Sequence, residues 1–146
     1  MGEDLTTRIR ERFGYREMDA KQYSPLVLAF VGDAVYSLLV RTKLLCEQEL
    51  TVNHLHKHAA DIVKAEAQKD LMLRMLPKLS EEETGIYKRG RNAKSYSVAK
   101  NANVTDYRVA TGFEALLGYL YLNNRMDRIF ELVFDTDTTD EEQPKQ

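Results

Sequence analysis

Two carboxylates stand alone among apolar neighbours. Asp33 is the only Asp, Glu, Lys or Arg in residues 26–40 (LVLAFVGDAVYSLLV), and Glu114 is the only one in residues 109–122 (VATGFEALLGYLYL). A carboxylate taken into a core without a partner costs several kcal/mol or is forced to stay protonated. Two of them, one in each of the most apolar segments, meet at one polar spot if the segments are helices packed together. Such a pair suits a divalent cation, because Mg²⁺ takes hard oxygen ligands and often needs only one or two carboxylates besides water and substrate phosphates. A cation held there would activate a water and neutralise charge developing on a phosphodiester. Two core acids satisfied by backbone, tyrosine or arginine fit the same spacing. Gly32 adjoins Asp33, and Gly118 lies one turn after Glu114. Glycine inside a helix costs about 1 kcal/mol against alanine, so both mark close backbone packing or ligand approach.

A second constellation is basic. Residues 88–108 hold six Lys or Arg (Lys88, Arg89, Arg91, Lys94, Lys100, Arg108) against one acid, Asp106. The net charge of −2 conceals this, because five acids and one lysine in residues 135–146 leave the remainder near +2. A local positive field can bind a polyanion whatever the total, although a charge run is also what an ordinary solvated face looks like. His54, His56 and His58 have no third ligand at matching spacing and read as helix surface. Cys46 has no base partner and reads as inert. No glycine-rich phosphate loop is present.

The elements that must position these groups are helical. The chain has 146 residues, 43% hydrophobic and 30% charged, enough for one domain with its own core. Seven Gly and three Pro leave little turn chemistry for a β fold. One cysteine excludes a disulfide framework and a Cys-cluster zinc site and suits a reducing cytoplasm. The apolar runs reach about fifteen residues, short of the roughly twenty that a membrane helix needs, and the opening residues carry no secretory h-region. Residues 1–21 read as a polar lead-in with a short helix. Ser24-Pro25 caps a core helix that is apolar nearly all round, running to about Leu45. Thr51 caps an amphipathic helix continuing to Leu76, where Pro77 stops it. Ser80 and Glu83 form a capping box ahead of the basic segment, read as helix, loop, helix. A second apolar helix starts at Tyr107 or Val109, and a last short one spans residues 126–134. The folded domain is expected over residues 22–134, with residues 135–146 an acidic disordered tail.

The two acidic segments carry a family likeness. Phe30-Val31-Gly32-Asp33-Ala34-Val35 resembles the signature helix of ribonuclease III catalytic domains, with its F-L-G-D-A/S-V/I-L core. Residues 113–122 resemble that family's second acidic motif, D-x-x-E-A-L-I-G-A-x-Y-L, in the family's order. The family usually has a further acid one turn before each of these; here Ala29 and Thr111 stand there. With Lys88-Arg89-Gly90-Arg91-Asn92-Ala93-Lys94, Lys100 and Asn101, the pattern looks like the short branch without a double-stranded-RNA-binding domain, Mini-ribonuclease III.

That resemblance implies an all-α ribonuclease III-type endonuclease domain, a helical bundle working as a homodimer joined through its signature helices. It implies a cytoplasmic, Mg²⁺-dependent endoribonuclease that cuts double-stranded precursor of the large-subunit (23S) ribosomal RNA, leaving a 5′-phosphate and a 3′-hydroxyl. Asp33 and Glu114 would be the catalytic residues and metal ligands, and the replaced acids put a two-metal site in doubt. Phe30, Val31, Val35 and Leu38 suit either a dimer contact or ordinary core. Lys88, Arg89, Arg91, Asn92, Lys94, Lys100, Asn101 and Arg108 would hold the RNA, since an A-form duplex is read through phosphates and 2′-hydroxyls. A ribosomal protein on the substrate is a candidate further partner, and no membrane is implied. The rival readings are a non-catalytic RNA-binding or ribosome-assembly factor on the same fold, and a plain helical adaptor.

Overall fold

Helices begin where a side chain can satisfy the first free backbone N–H groups. In the computed structural model, which describes residues 4–47, 51–94 and 103–135, the regular structure among the described residues is all helical. α1 is Leu5–Phe13, α2 Pro25–Glu47, α3 Val52–Val63, α4 Ala65–Met75, α5 Glu81–Asn92, α6 Val104–Leu122 and α7 Met126–Phe130. Asp4, Thr51, Ser80 and Asn103 cap α1, α3, α5 and α6. Ser24 Oγ accepts from the Val27 N–H at 3.2 Å to open α2. The Ser80–Glu83 capping box forms in both directions, at 3.1 and 2.8 Å.

α6 is the axis of the bundle. Every residue from 109 to 120 is buried except Glu114, which is half-buried. Phe113, Leu116 and Leu117 are fully enclosed, each such burial contributing about 1.5–3 kcal/mol. α2, α4 and α5 pack around it. Tyr36 meets Phe113 edge to face, with ring centroids 4.9 Å apart, and joins α2 to α6. Arg128 of α7 grips the Glu83 carboxylate with two N–H groups at 2.8 Å, holding its pKa below the usual range and tying α7 to α5.

Four sequence expectations change. First, α2 is not buried all round. Phe30 is 79% exposed and Leu38 63%, whereas Val35 is buried and Val31 half-buried. An apolar pattern shows that a face is apolar and not what covers it. At 23 residues, α2 also exceeds the run of about fifteen and is long and apolar enough to cross a bilayer by length and composition. It nevertheless packs a core face against α6 and carries Asp33 near its middle. Second, the helix expected from Thr51 to Leu76 breaks at Lys64, whose backbone is extended (φ −69°, ψ 158°). Third, the Asn103 cap starts α6 earlier than expected, at Val104. Fourth, α7 gives way to a wide π turn, Glu131–Asp135. The lead-in contains α1 and a 3-10 turn at Ala20–Gln22. Residues 136–146, Lys100 and Asn101 lie outside the described residues.

Candidate active site

The site exists because two helices touch backbone to backbone. A Cβ on Gly32 would stand 1.7 Å from the Glu114 carbonyl oxygen, and one on Gly118 would stand 2.0 Å from that of Leu28. Only glycine permits this crossing of α2 and α6. Asp33 follows Gly32 and Glu114 precedes Gly118 by one turn, so the same contact that closes the core brings the two carboxylates together.

Their environments differ. Asp33 is exposed, while Glu114 is half-buried beside it. Burial, and then the negative charge of Asp33, push the Glu114 carboxyl up to about 8, and a hydrogen bond from Gln68 opposes the shift. A carboxyl raised by burial next to a second carboxylate is a mark of a functional site. The shift also has a stability consequence. Glu114 ionises in the unfolded chain near 4.5 but in the folded chain near 8. Between those values the folded state holds the extra proton, so stability falls as pH rises through the window. Thermal melts in EDTA are expected to show a midpoint that drops with pH across this range, and Glu114→Gln to flatten the slope. An equal slope in wild type and variant would contradict it.

The donor set fits a hard divalent cation. Two carboxylates supply oxygen ligands and negative charge, and a cation between them removes the repulsion that raises Glu114. Among the described residues no cluster of three or more His, Cys, Asp or Glu forms, so water and substrate phosphates would complete the coordination. His54, His56 and His58 are exposed on α3, and Cys46 is exposed near the end of α2.

The basic candidates divide. Lys88, Arg89, Asn92, Lys94 and Arg108 are exposed. Arg91 is half-buried, with its guanidinium 5.6 Å from the centre of the Tyr87 ring and its Nε donating to Asn92 Oδ1 at 3.3 Å. α5 presents this surface because its other side is pinned to α6, where a Cβ on Gly90 would stand 2.9 Å from the Gly112 Cα.

A family model for the ribonuclease III domain matches residues 26–125, which contain both carboxylates. A Mini-ribonuclease 3 from Brevibacillus brevis is 53% identical over 115 residues, covering 79% of this chain and 86% of its own. One from Thermoanaerobacter is 55% identical over 106 residues, covering 73% and 75%. The chain belongs to the Mini-ribonuclease 3 family. A crystal structure of a Fusobacterium nucleatum protein superposes with a TM-score of 0.73 at 30% identity, covering 82% of this chain and 96% of that one.

Membership makes the chain an endoribonuclease of the ribonuclease III type and gives the differences from the wider pattern a structural meaning. Ala29 is buried, and the buried Thr111 donates its hydroxyl to Tyr107 O at 2.9 Å. Neither position offers an oxygen ligand comparable to a carboxylate. Two polar contacts made by α4 carry no signal in the sequence. Gln68 reaches Glu114 from α4, and Lys69 pairs with Asp106 at 3.1 Å, fixing α4 against the first turn of α6. Both look like ordinary polar residues of an amphipathic helix until the fold places them.

Proposed function

We propose that this endoribonuclease is Mg²⁺-dependent and cuts both strands of a duplex in precursor large-subunit ribosomal RNA, as a cytoplasmic homodimer. The observation that carries this is the carboxylate pair at the α2–α6 crossing, whose charge repulsion a divalent cation relieves. Asp33 and Glu114 would hold the cation. When bound, Mg²⁺ supplies Lewis acidity for activating water and charge to offset that developing on the phosphodiester. Asp33, the more exposed of the two, faces the side from which solvent and substrate arrive. Glu114 would have to be deprotonated to hold a cation, so binding is expected to weaken as the medium becomes more acidic.

The exposed apolar stripe of α2, with Phe30 79% and Leu38 63% exposed, supports joining of two copies through this helix. Two sites related by a two-fold axis suit two cuts on opposite strands. The exposed cations of α5 and Arg108 suit phosphate contacts. Arg89→Ala with Arg91→Ala is expected to weaken duplex binding and to lower the slope of log affinity against log salt by up to about one per charge. Equal slopes for wild type and variant, measured by fluorescence anisotropy over several salt concentrations, would remove the basic segment from the interface.

Ala29 and Thr111, standing where the wider family has acids, kept a non-catalytic RNA-binding or assembly factor open in the sequence, and membership of an endoribonuclease family sets that reading aside. One competition assay tests the substrate. A precursor stem of the large-subunit RNA, naked or bearing ribosomal protein, is mixed with unrelated duplexes of equal length. Preferred cutting of the precursor supports the proposal, and indifferent cutting removes the substrate assignment. Binding of the precursor without any cutting likewise removes the substrate assignment.

A further inference from the structure

Gln68 is 2% exposed, yet no chemistry described so far uses it. It sits in the first turns of α4, just past the break at Lys64. That break frees the last carbonyls of α3, and Gln68 Nε2 donates to Val63 O at 2.8 Å. The same side chain lies close enough to Glu114 for its amide to lower that carboxyl's pKa, against the effect of burial. A side-chain NH₂ carries two donors, which suits two acceptor oxygens. Turning the amide round would set its carbonyl against both, so its orientation is fixed by its neighbours. Its Oε1 is buried and has no partner among the described residues. Buried acceptors without partners are uncommon and call for a reason. A methionine would fill much the same space without leaving one.

We propose that Gln68 is a positioning residue for the cation site, holding the Glu114 carboxylate and coupling it to the α3–α4 break. The proposal rests on the reading of Asp33 and Glu114 as cation ligands and extends it to the group behind them. Glu114 projects from α6 into a half-buried space where Ala29 and Thr111 supply no carboxylate. The amide restrains the Glu114 side chain and partly compensates the burial of its charge. The unpaired Oε1 is an acceptor that a water held at the site would satisfy.

The test is direct Mn²⁺ binding by the RNA-free protein, read from the free-Mn²⁺ electron paramagnetic resonance signal, for wild type and Gln68→Met. Hydrogen-bond partners of metal ligands typically govern affinity about 10- to 100-fold. Half-saturation is therefore expected at about tenfold higher Mn²⁺ in the variant, with an unchanged circular dichroism spectrum. A purely structural Gln68 would lower the melting midpoint and leave Mn²⁺ affinity alone, and that result overturns the proposal. Absence of Mn²⁺ binding by wild type overturns this proposal together with the cation reading. Should Gln68→Met fail to fold, the wild-type Gln68 side-chain NH₂ resonances decide it under Mg²⁺ titration. Shifts that saturate with the cation, and vanish in Asp33→Asn, support the proposal; resonances that stay still overturn it.

Discussion

Asp33→Asn is expected to lower kcat/KM for duplex cleavage by about three orders of magnitude or more, some 4 kcal/mol of transition-state stabilisation. The substitution keeps the size of the side chain and removes the exposed carboxylate of the pair. Folding should survive it, because Asp33 is exposed. The charge that helps to raise Glu114 also disappears, so the metal-free protein should lose none of its stability at neutral pH. Kinetics and a thermal melt on one preparation separate the outcomes. Lost cleavage with an unchanged or higher midpoint is the result of removing a ligand. A lowered midpoint would show that Asp33 is a structural acid.

Gly32→Ala is expected to remove both stability and cleavage. Its Cβ would stand 1.7 Å from the Glu114 carbonyl oxygen and 2.8 Å from the Gly118 backbone nitrogen. No side chain can swing aside, since the obstacle is backbone, so α2 and α6 must separate. Overpacking usually costs about 1–3 kcal/mol, and a clash with rigid backbone should reach the top of that range or beyond. Separation also pulls Asp33 from Glu114, so residual folded protein should cut poorly even at low temperature. Urea denaturation, with activity measured well below the transition, checks both parts. Full activity per folded molecule would show that the crossing does not set the site.

The carboxylate pair was legible because charge is conspicuous where every neighbour is apolar. The resemblance around Gly32-Asp33 and Glu114 then supplied the fold class and the chemistry. Ser80, Glu83 and Thr51 marked helix starts correctly because capping is a local hydrogen-bonding matter. What stayed hidden depends on tertiary placement. Gln68 is one polar residue among many on α4, and only the break at Lys64 brings it to Glu114. That break has neither glycine nor proline to announce it. Gly90 falls in the basic segment read as helix, loop, helix, and it lies within α5, where it lets that helix press on Gly112. The exposed stripe through Phe30 and Leu38 is as apolar as the buried face of α2, so periodicity could not separate the two.

The most direct test is cleavage of an end-labelled duplex stem by the wild-type protein, with Mg²⁺ and with EDTA, resolved to single nucleotides on both strands. The expected result is one discrete cut on each strand, leaving 5′-phosphate ends, with Mg²⁺ present and none with EDTA. Equal cutting in EDTA, or tight binding of a folded stem with no cut at any Mg²⁺ concentration, would contradict a cation-dependent nuclease built on Asp33 and Glu114.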